Sequence, residues 1–131
     1  MTKTITFVIT KGPYSYEVPY TVLKLVKEAV KKGVNVNLFF YLDGTFISHH
    51  KQSPSDYPNV QHITHKLLKR GLFNPKIDAI SCIKCTHARG ITHGDDSFKE
   101  GLSYTYEGVI IGGLGDLAIW LKNSDKTIVI S

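Results

Sequence analysis

Cysteine is scarce in this chain of 131 residues: there are two, Cys82 and Cys85, three positions apart. A bridge over so short a loop cannot brace a domain, which excludes a disulfide-stapled secreted scaffold and points to a reducing, cytoplasmic setting. A second cysteine pair is also missing. Cys82-x-x-Cys85 with His87 and His93 therefore lacks the four well-spaced ligands of a structural zinc site, and no metal is expected. No apolar run approaches the length that spans a bilayer, and the opening Met1-Thr2-Lys3-Thr4 shows no charged region followed by an apolar core, so neither membrane anchoring nor a secretory signal is expected. Repeats, low-complexity tracts and linkers are absent, which leaves a single domain over residues 1–131.

Acidic residues are the minority, 11 against 16 Lys and Arg, for a net charge of +5. The basic residues are scattered: Lys24, Lys27, Lys31 and Lys32 fall on one predicted helix, and Lys66, Lys69 and Arg70 on another. No basic run interleaves with aromatics, so the charge reads as solvated helix faces and not as a nucleic-acid surface.

What is present is a 42% hydrophobic chain, enough for a core. Thr4 to Thr10 is rich in β-branched and aromatic residues and predicts a strand that ends at Lys11-Gly12-Pro13. Val18, Val22, Leu25, Val26, Ala29 and Val30 recur at helical spacing, with Pro19 in the first turn and Gly33 as stop. Val34 to Tyr41 predicts a second strand, closed by Asp43-Gly44. A polar, turn-rich stretch follows from Thr45 to Asn59, long for a connection and expected to be an interface loop. Val60 to Arg70 predicts a helix stopped by Gly71, Ile77 to Ser81 a strand, and Asp95 to Ser103 a short helix. Val109 to Ile111 predicts a fully buried strand, Leu117 to Leu121 a helix, and Thr127 to Ile130 a last strand. Alternating strands and helices, with strands apolar on both faces, predict a parallel sheet covered by helices on both sides. Sites in such sheets lie beyond the carboxyl ends of the strands. The loops there begin at Gly12, Asp43, Ser81 and Gly112.

The cysteines fall in one of these loops. A thiol where a strand gives way to a helix is expected to face free backbone N–H groups, and Lys84, His87 and Arg89 add positive or protonatable charge, which together favour the reactive thiolate at Cys82. The other reading is that both cysteines are small buried hydrophobes. Tyr14 is placed to line this edge. Gly113-Leu114-Gly115-Asp116-Leu117-Ala118 matches G-x-G-x-x-[GA], but the chain ends before the acidic residue a dinucleotide site requires. It reads as a tight strand-to-helix turn whose N–H groups, Gly113 first, could hold an anion. His49-His50, His62 and His65, with Asp56 nearby, form a second histidine group that reads as partly exposed helix and loop residues.

Taken in order, Phe7-Val8-Ile9-Thr10-Lys11-Gly12-Pro13-Tyr14, Phe39-Phe40-Tyr41-Leu42-Asp43-Gly44, Cys82 followed by Arg89-Gly90, and Gly113-Leu114-Gly115-Asp116-Leu117 resemble the DsrE/DsrF-like family, including its TusD-type sulfur-relay subunits. The resemblance covers nearly the whole chain. It implies a three-layer α/β/α sandwich on a parallel sheet of about five strands, and assembly as trimers or hexamers. It also implies that Cys82 accepts sulfane sulfur as a persulfide and passes it on without an organic cofactor. The partners so implied are sulfur-donor and sulfur-acceptor proteins or small thiols. Cys85 departs from the TusD pattern, and resolving the persulfide is one role open to it. A different class of function, a non-enzymatic oligomeric binding subunit with incidental cysteines, stands beside the sulfur-transfer reading.

Overall fold

The computed structural model describes residues 2–14, 17–53, 60–70, 75–92, 104–106 and 108–131, the side chains of Gln61, His62, His65 and Arg70 excepted. Asp56, Gly71, His93, the Asp95–Ser103 segment and the side chains of His62 and His65 therefore lie outside the described residues. In chain order the elements are β1 (Thr4–Ile9), α1 (Val18–Lys31), β2 (Asn35–Phe40), a 3-10 helix (Leu42–Ser48), α2 (Val60–Arg70), β3 (Ile77–Cys82), α3 (Ile83–Ala88), β4 (Val109–Gly112), α4 (Leu114–Asn123) and β5 (Lys126–Ile130). Gly33 closes α1 at φ 82°, a left-handed value that glycine adopts without strain.

The five strands form one parallel sheet in the order β4-β3-β2-β1-β5. The chain steps outward from β1 to β4 and then returns past all of them to place β5 beside β1. Right-handed crossovers put the helices of the outward and return steps on opposite faces, and the result is a three-layer α/β/α sandwich. One face, with Phe7, Ile9, Val36, Leu38, Phe40, Ala79 and Val109, is buried together with Val22, Leu23 and Val26 of α1 and Val60, Leu67 and Leu68 of α2. The other carries Val8, Phe39 and Ile80 against Leu117 and Trp120 of α4.

Two expectations need correction here. The strands are not apolar on both faces. Thr6, Asn37 and Asp78 alternate with the core residues in the amino-terminal halves of the strands, and only the carboxyl halves place Val8, Phe39 and Ile80 on the α4 face. Nor is β4 fully buried, since Ile110 is 47% exposed. The reason is one of dimensions. A helix with its side chains is about 10 Å across, while five strands spaced about 4.8 Å apart span about 19 Å between outer strands. Among the described residues α4 packs on that face, and Ile110 and the β5 residue Val129, 62% exposed, stay in solvent.

The stretch after β2 also differs from a polar surface loop. Its first residues wind into the 3-10 helix and bury Gly44, Thr45, Ile47 and Ser48. Among the described residues no helix is long and apolar enough to cross a membrane.

Candidate functional site

The site forms where β2 and β3 end. Cys82 closes β3 and is the N-cap residue of α3, with extended backbone (φ −63°, ψ 125°); Cys85 is the third residue of that helix. The N-cap and third helical positions lie about one turn apart on the same side of the helix start, so the local chain path brings the two cysteines together. The two lie side by side in one buried cluster. Both are free thiols, 4% and 7% exposed, set among Val8, Phe39 and Ile80 with Tyr41, Leu117 and Trp120 at the margin. The Cys82 side chain makes no capping hydrogen bond to the helix. The expectation that helix N–H groups hold its sulfur is therefore replaced by a contact from Cys85.

The turn after β2 forms the second wall. Gly44 is required there, because a Cβ would collide with the Ile9 carbonyl oxygen of β1. Its N–H bonds the Tyr41 carbonyl at 2.9 Å, and between them Leu42 adopts a left-handed φ of 53°. That conformation, uncommon for a non-glycine residue, directs the Leu42 N–H at Cys85 Sγ, 3.3 Å away. Asp43, the next residue, accepts a 2.8 Å ion-paired hydrogen bond from Arg89 Nε, and the same guanidinium donates to the Cys85 carbonyl at 3.2 Å. Hydroxyls fasten the turn from beneath: Ser81 and Ser48 share a 2.8 Å hydrogen bond, Ser48 donates to the Thr45 carbonyl at 2.6 Å, and Thr45 donates to the Leu42 carbonyl at 2.7 Å.

Burial pushes the Cys85 thiol above its ordinary range, and the hydrogen bond to Cys82 and the charge at Cys82 push the same way. The Leu42 N–H and the Arg89 guanidinium pull against them. The arrangement is a buried dithiol in which the Leu42 N–H donates to Cys85 Sγ and Cys82 is packed beside it.

The structure brings together Cys82, Cys85 and Arg89, with Gly12 on the far side of Asp43, where a Cβ would sit 3.3 Å from the Asp43 carbonyl. Gly112 pairs with Cys82 in the ladder, which sets Gly113 one residue from it. The Gly113 N–H is taken up by the Asp116 carboxylate at 2.9 Å, so it caps α4 and is not open to an anion. Lys84 and His87 are exposed on α3. Tyr14, at φ 70°, packs on the α1–α2 side, in the core cluster that holds Tyr106, away from the cysteine cluster. Burial, and secondarily Tyr14, pushes the Tyr106 hydroxyl well above its ordinary range. His49 stacks on Tyr104, ring centroids 5.3 Å apart. Among the described residues no group of three or more His, Cys, Asp or Glu side chains could hold a metal ion. Leu42 was not singled out from the sequence. Its contribution is a backbone amide, and only the tight turn forced by Gly44 could have signalled it.

A sequence profile of the DsrE/DsrF-like family matches residues 3–130. The chain belongs to this family. Two archaeal relatives share its length: the uncharacterized protein MK0008 of Methanopyrus kandleri is 31% identical over 124 residues, 95% of this chain and 91% of that one. The uncharacterized protein MJ0989 of Methanocaldococcus jannaschii is 28% identical over 123 residues, 94% and 96% of the two chains. Among solved structures, the ychN protein of E. coli superposes with a TM-score of 0.80 at 25% identity, covering 99% of this chain and all of its own. A Bacteroides thetaiotaomicron protein, BT1422, does so at 0.68 and 17% identity, covering 98% and 95%, a likeness of fold alone. The family suggests a role in sulfur relay, and the dithiol lies at the strand ends where open α/β sheets place their chemistry.

Proposed function

We propose that this protein is a sulfane-sulfur carrier of the cytoplasm, with Cys82 as the loading site. The observation that supports the reading is the buried dithiol itself, Cys82 and Cys85 packed together at the end of β3 with the Leu42 N–H on the Cys85 sulfur. In the loading step the Cys82 thiolate attacks the terminal sulfur of a donor R–S–SH. A bond forms from Cys82 Sγ to that sulfur, the donor S–S bond breaks, and R–S⁻ leaves with the electron pair. An acceptor thiolate then repeats the attack on the carried sulfur and restores the Cys82 thiolate, following the rules of thiol–disulfide exchange. Lys84 and His87, exposed beside the pair, suit the approach of anionic donors such as polysulfides. Burial of Cys82 favours donors small enough to enter between the turn and α4. Incubating the protein with polysulfide and measuring its intact mass tests the reading. The expected result is one added sulfur that disappears in Cys82→Ser, and persistence of the adduct in that variant overturns it.

The exposed apolar residues of α4 and its neighbours favour a second element of the reading, self-association. Leu114, Ile119, Leu121, Ile110 and Val129 all stand in solvent around the thinly covered sheet face, more apolar surface than a free monomer ordinarily presents in one region. We place the contacts of a homo-oligomer there and not in the 45–59 stretch, whose first residues are buried. If Cys82 takes up no sulfur while the protein still self-associates, a binding subunit with incidental cysteines is the better description.

A further inference from the structure

Cys85 is positioned for more than holding a proton. It stands at the third helical position, one turn from the N-cap residue Cys82, it is packed with Cys82 in one buried cluster, and the Leu42 N–H holds its sulfur at 3.3 Å. A persulfide on Cys82 has two electrophilic sulfurs. The outer one extends away from Cys82, whereas the inner one is Cys82 Sγ, on the residue against which Cys85 is packed.

We propose that the pair gives the protein a second exit for its sulfur, reductive release as hydrosulfide, with Cys85 as the resolving thiol. The inference rests on the reading of Cys82 as the loading site. In the step, the electron pair of the Cys85 thiolate forms a bond to Cys82 Sγ. The bond from Cys82 Sγ to the outer sulfur breaks, and its electron pair leaves with that sulfur as HS⁻. The two cysteine sulfurs are oxidised together by two electrons to a Cys82–Cys85 disulfide, and the sulfane sulfur is reduced by the same two. The proton given up by Cys85 passes to the departing sulfur, which leaves as HS⁻. A single turnover needs no other reagent; a second requires an external dithiol to reopen the bridge.

Loading itself switches the step on. In the unloaded protein burial, and then the neighbouring Cys82, push the Cys85 thiol upward. Once a persulfide forms, the negative charge resides on the outer sulfur, one bond farther away, and Cys82 Sγ ceases to be a strong acceptor. The Leu42 N–H and the Arg89 guanidinium, which favour the Cys85 thiolate, stay where they were. The attacking thiolate thus becomes accessible when its target is present and stays suppressed when it is not. The bridge would close across one helical turn at buried positions, a geometry that leaves it open to reduction by a dithiol, as a turnover intermediate requires.

The test is a single-turnover experiment on the full chain. Wild type, C85S and C85A are loaded with polysulfide, freed of excess reagent by rapid desalting, and followed by intact mass and by trapping of released sulfide with a bimane. For wild type, decay of the adduct is expected to yield a species two hydrogens lighter than the reduced protein, with one sulfide per adduct lost. Peptide mapping should show a Cys82–Cys85 bridge that dithiothreitol reopens. Both variants should keep the adduct and lose the sulfide release. Decay at the wild-type rate in C85S and C85A, or wild-type decay without the bridge, overturns the inference, and so does an adduct that migrates to Cys85. An adduct equally stable in all three proteins sinks this inference and leaves the carrier reading standing; no adduct in any of them sinks both. Thermal melts of the variants guard against misfolding, and the bridge-to-sulfide stoichiometry of wild type decides the matter by itself if they fail to fold.

Discussion

Leu42 and Arg89 act on the same sulfur from opposite sides, one through a backbone amide and the other through a charge. The guanidinium lowers the Cys85 thiol toward its ordinary range while anchored on Asp43. Arg89→Met is therefore expected to raise the pH at which Cys85 reacts with iodoacetamide, read by mass-resolved alkylation over an alkaline pH series. An unchanged profile would show that Arg89 only braces the turn. Asp43 is well exposed, and exposed ion pairs contribute little, so Asp43→Asn should lower stability by no more than about 1 kcal/mol in a denaturant titration. The Cys85 thiol also links stability to pH. Its folded value is raised above the ordinary 9.0, so its contribution is complete below that value and is lost as pH rises through the folded one. Cys85→Ala should flatten the alkaline decline of the melting temperature.

At the scale of elements, close approaches govern the site. Gly44→Ala drives a methyl into the Ile9 carbonyl, where the turn after β2 packs against the end of β1. The turn must then move, and it carries the Leu42 amide with it. A loss of several kcal/mol, about 3 or more, is expected from such a backbone clash, together with faster alkylation of both cysteines. A second element-level device joins residues 48–50 to 104–106, through a bridge at His49 and Thr105 and the stack of His49 on Tyr104. His49 Nδ1 accepts the Lys51 N–H at 3.0 Å, so the ring is held neutral. Burial first, then His50 and Lys51, depress its pKa below the ordinary 6.5. The sign follows from proton linkage: the contribution is complete above 6.5 and is lost as pH falls through the lower, folded value. Melting temperature should fall on acidification below about 6.5, and His49→Gln should remove part of that fall. An acid decline identical in the variant would assign it to other groups.

For the whole molecule, the packing of α4 on the second face bears on stability and on the proposed association. Phe39 is fully buried between the cysteine cluster and Trp120, whose ring it meets edge-on at 6.4 Å. Phe39→Ala should cost about 3–5 kcal/mol, read by chemical denaturation. Ile119 is different. It is 59% exposed on α4, so Ile119→Lys should leave the fold of one chain intact while weakening self-association, as measured by sedimentation with circular dichroism alongside. A variant that sediments like wild type would move the interface elsewhere.

Much of the fold follows from local pattern. The β-branched strands, the apolar stripe of α1, the Gly33 stop and the strand-to-helix turn at Cys82 each depend on residues a few positions apart, and each was legible from spacing alone. Motif order was legible for the same reason, and it was enough to place the chain in its family. The tertiary structure decided what depends on residues far apart in sequence. The amide that holds Cys85 comes from Leu42, 43 positions away. The partner of Arg89 is Asp43, 46 positions away, which anchors the guanidinium beside Cys85. Tyr14 was assigned to the sulfur site by nearness to a strand end, and the chain instead directs it to the opposite face. The thin roof over Ile110 and Val129 comes from the returning crossover to β5, a consequence of strand order that no local pattern encodes. Periodicity reports which side of an element faces a core, but which distant groups meet a given atom is settled only when the strands take their order in the sheet.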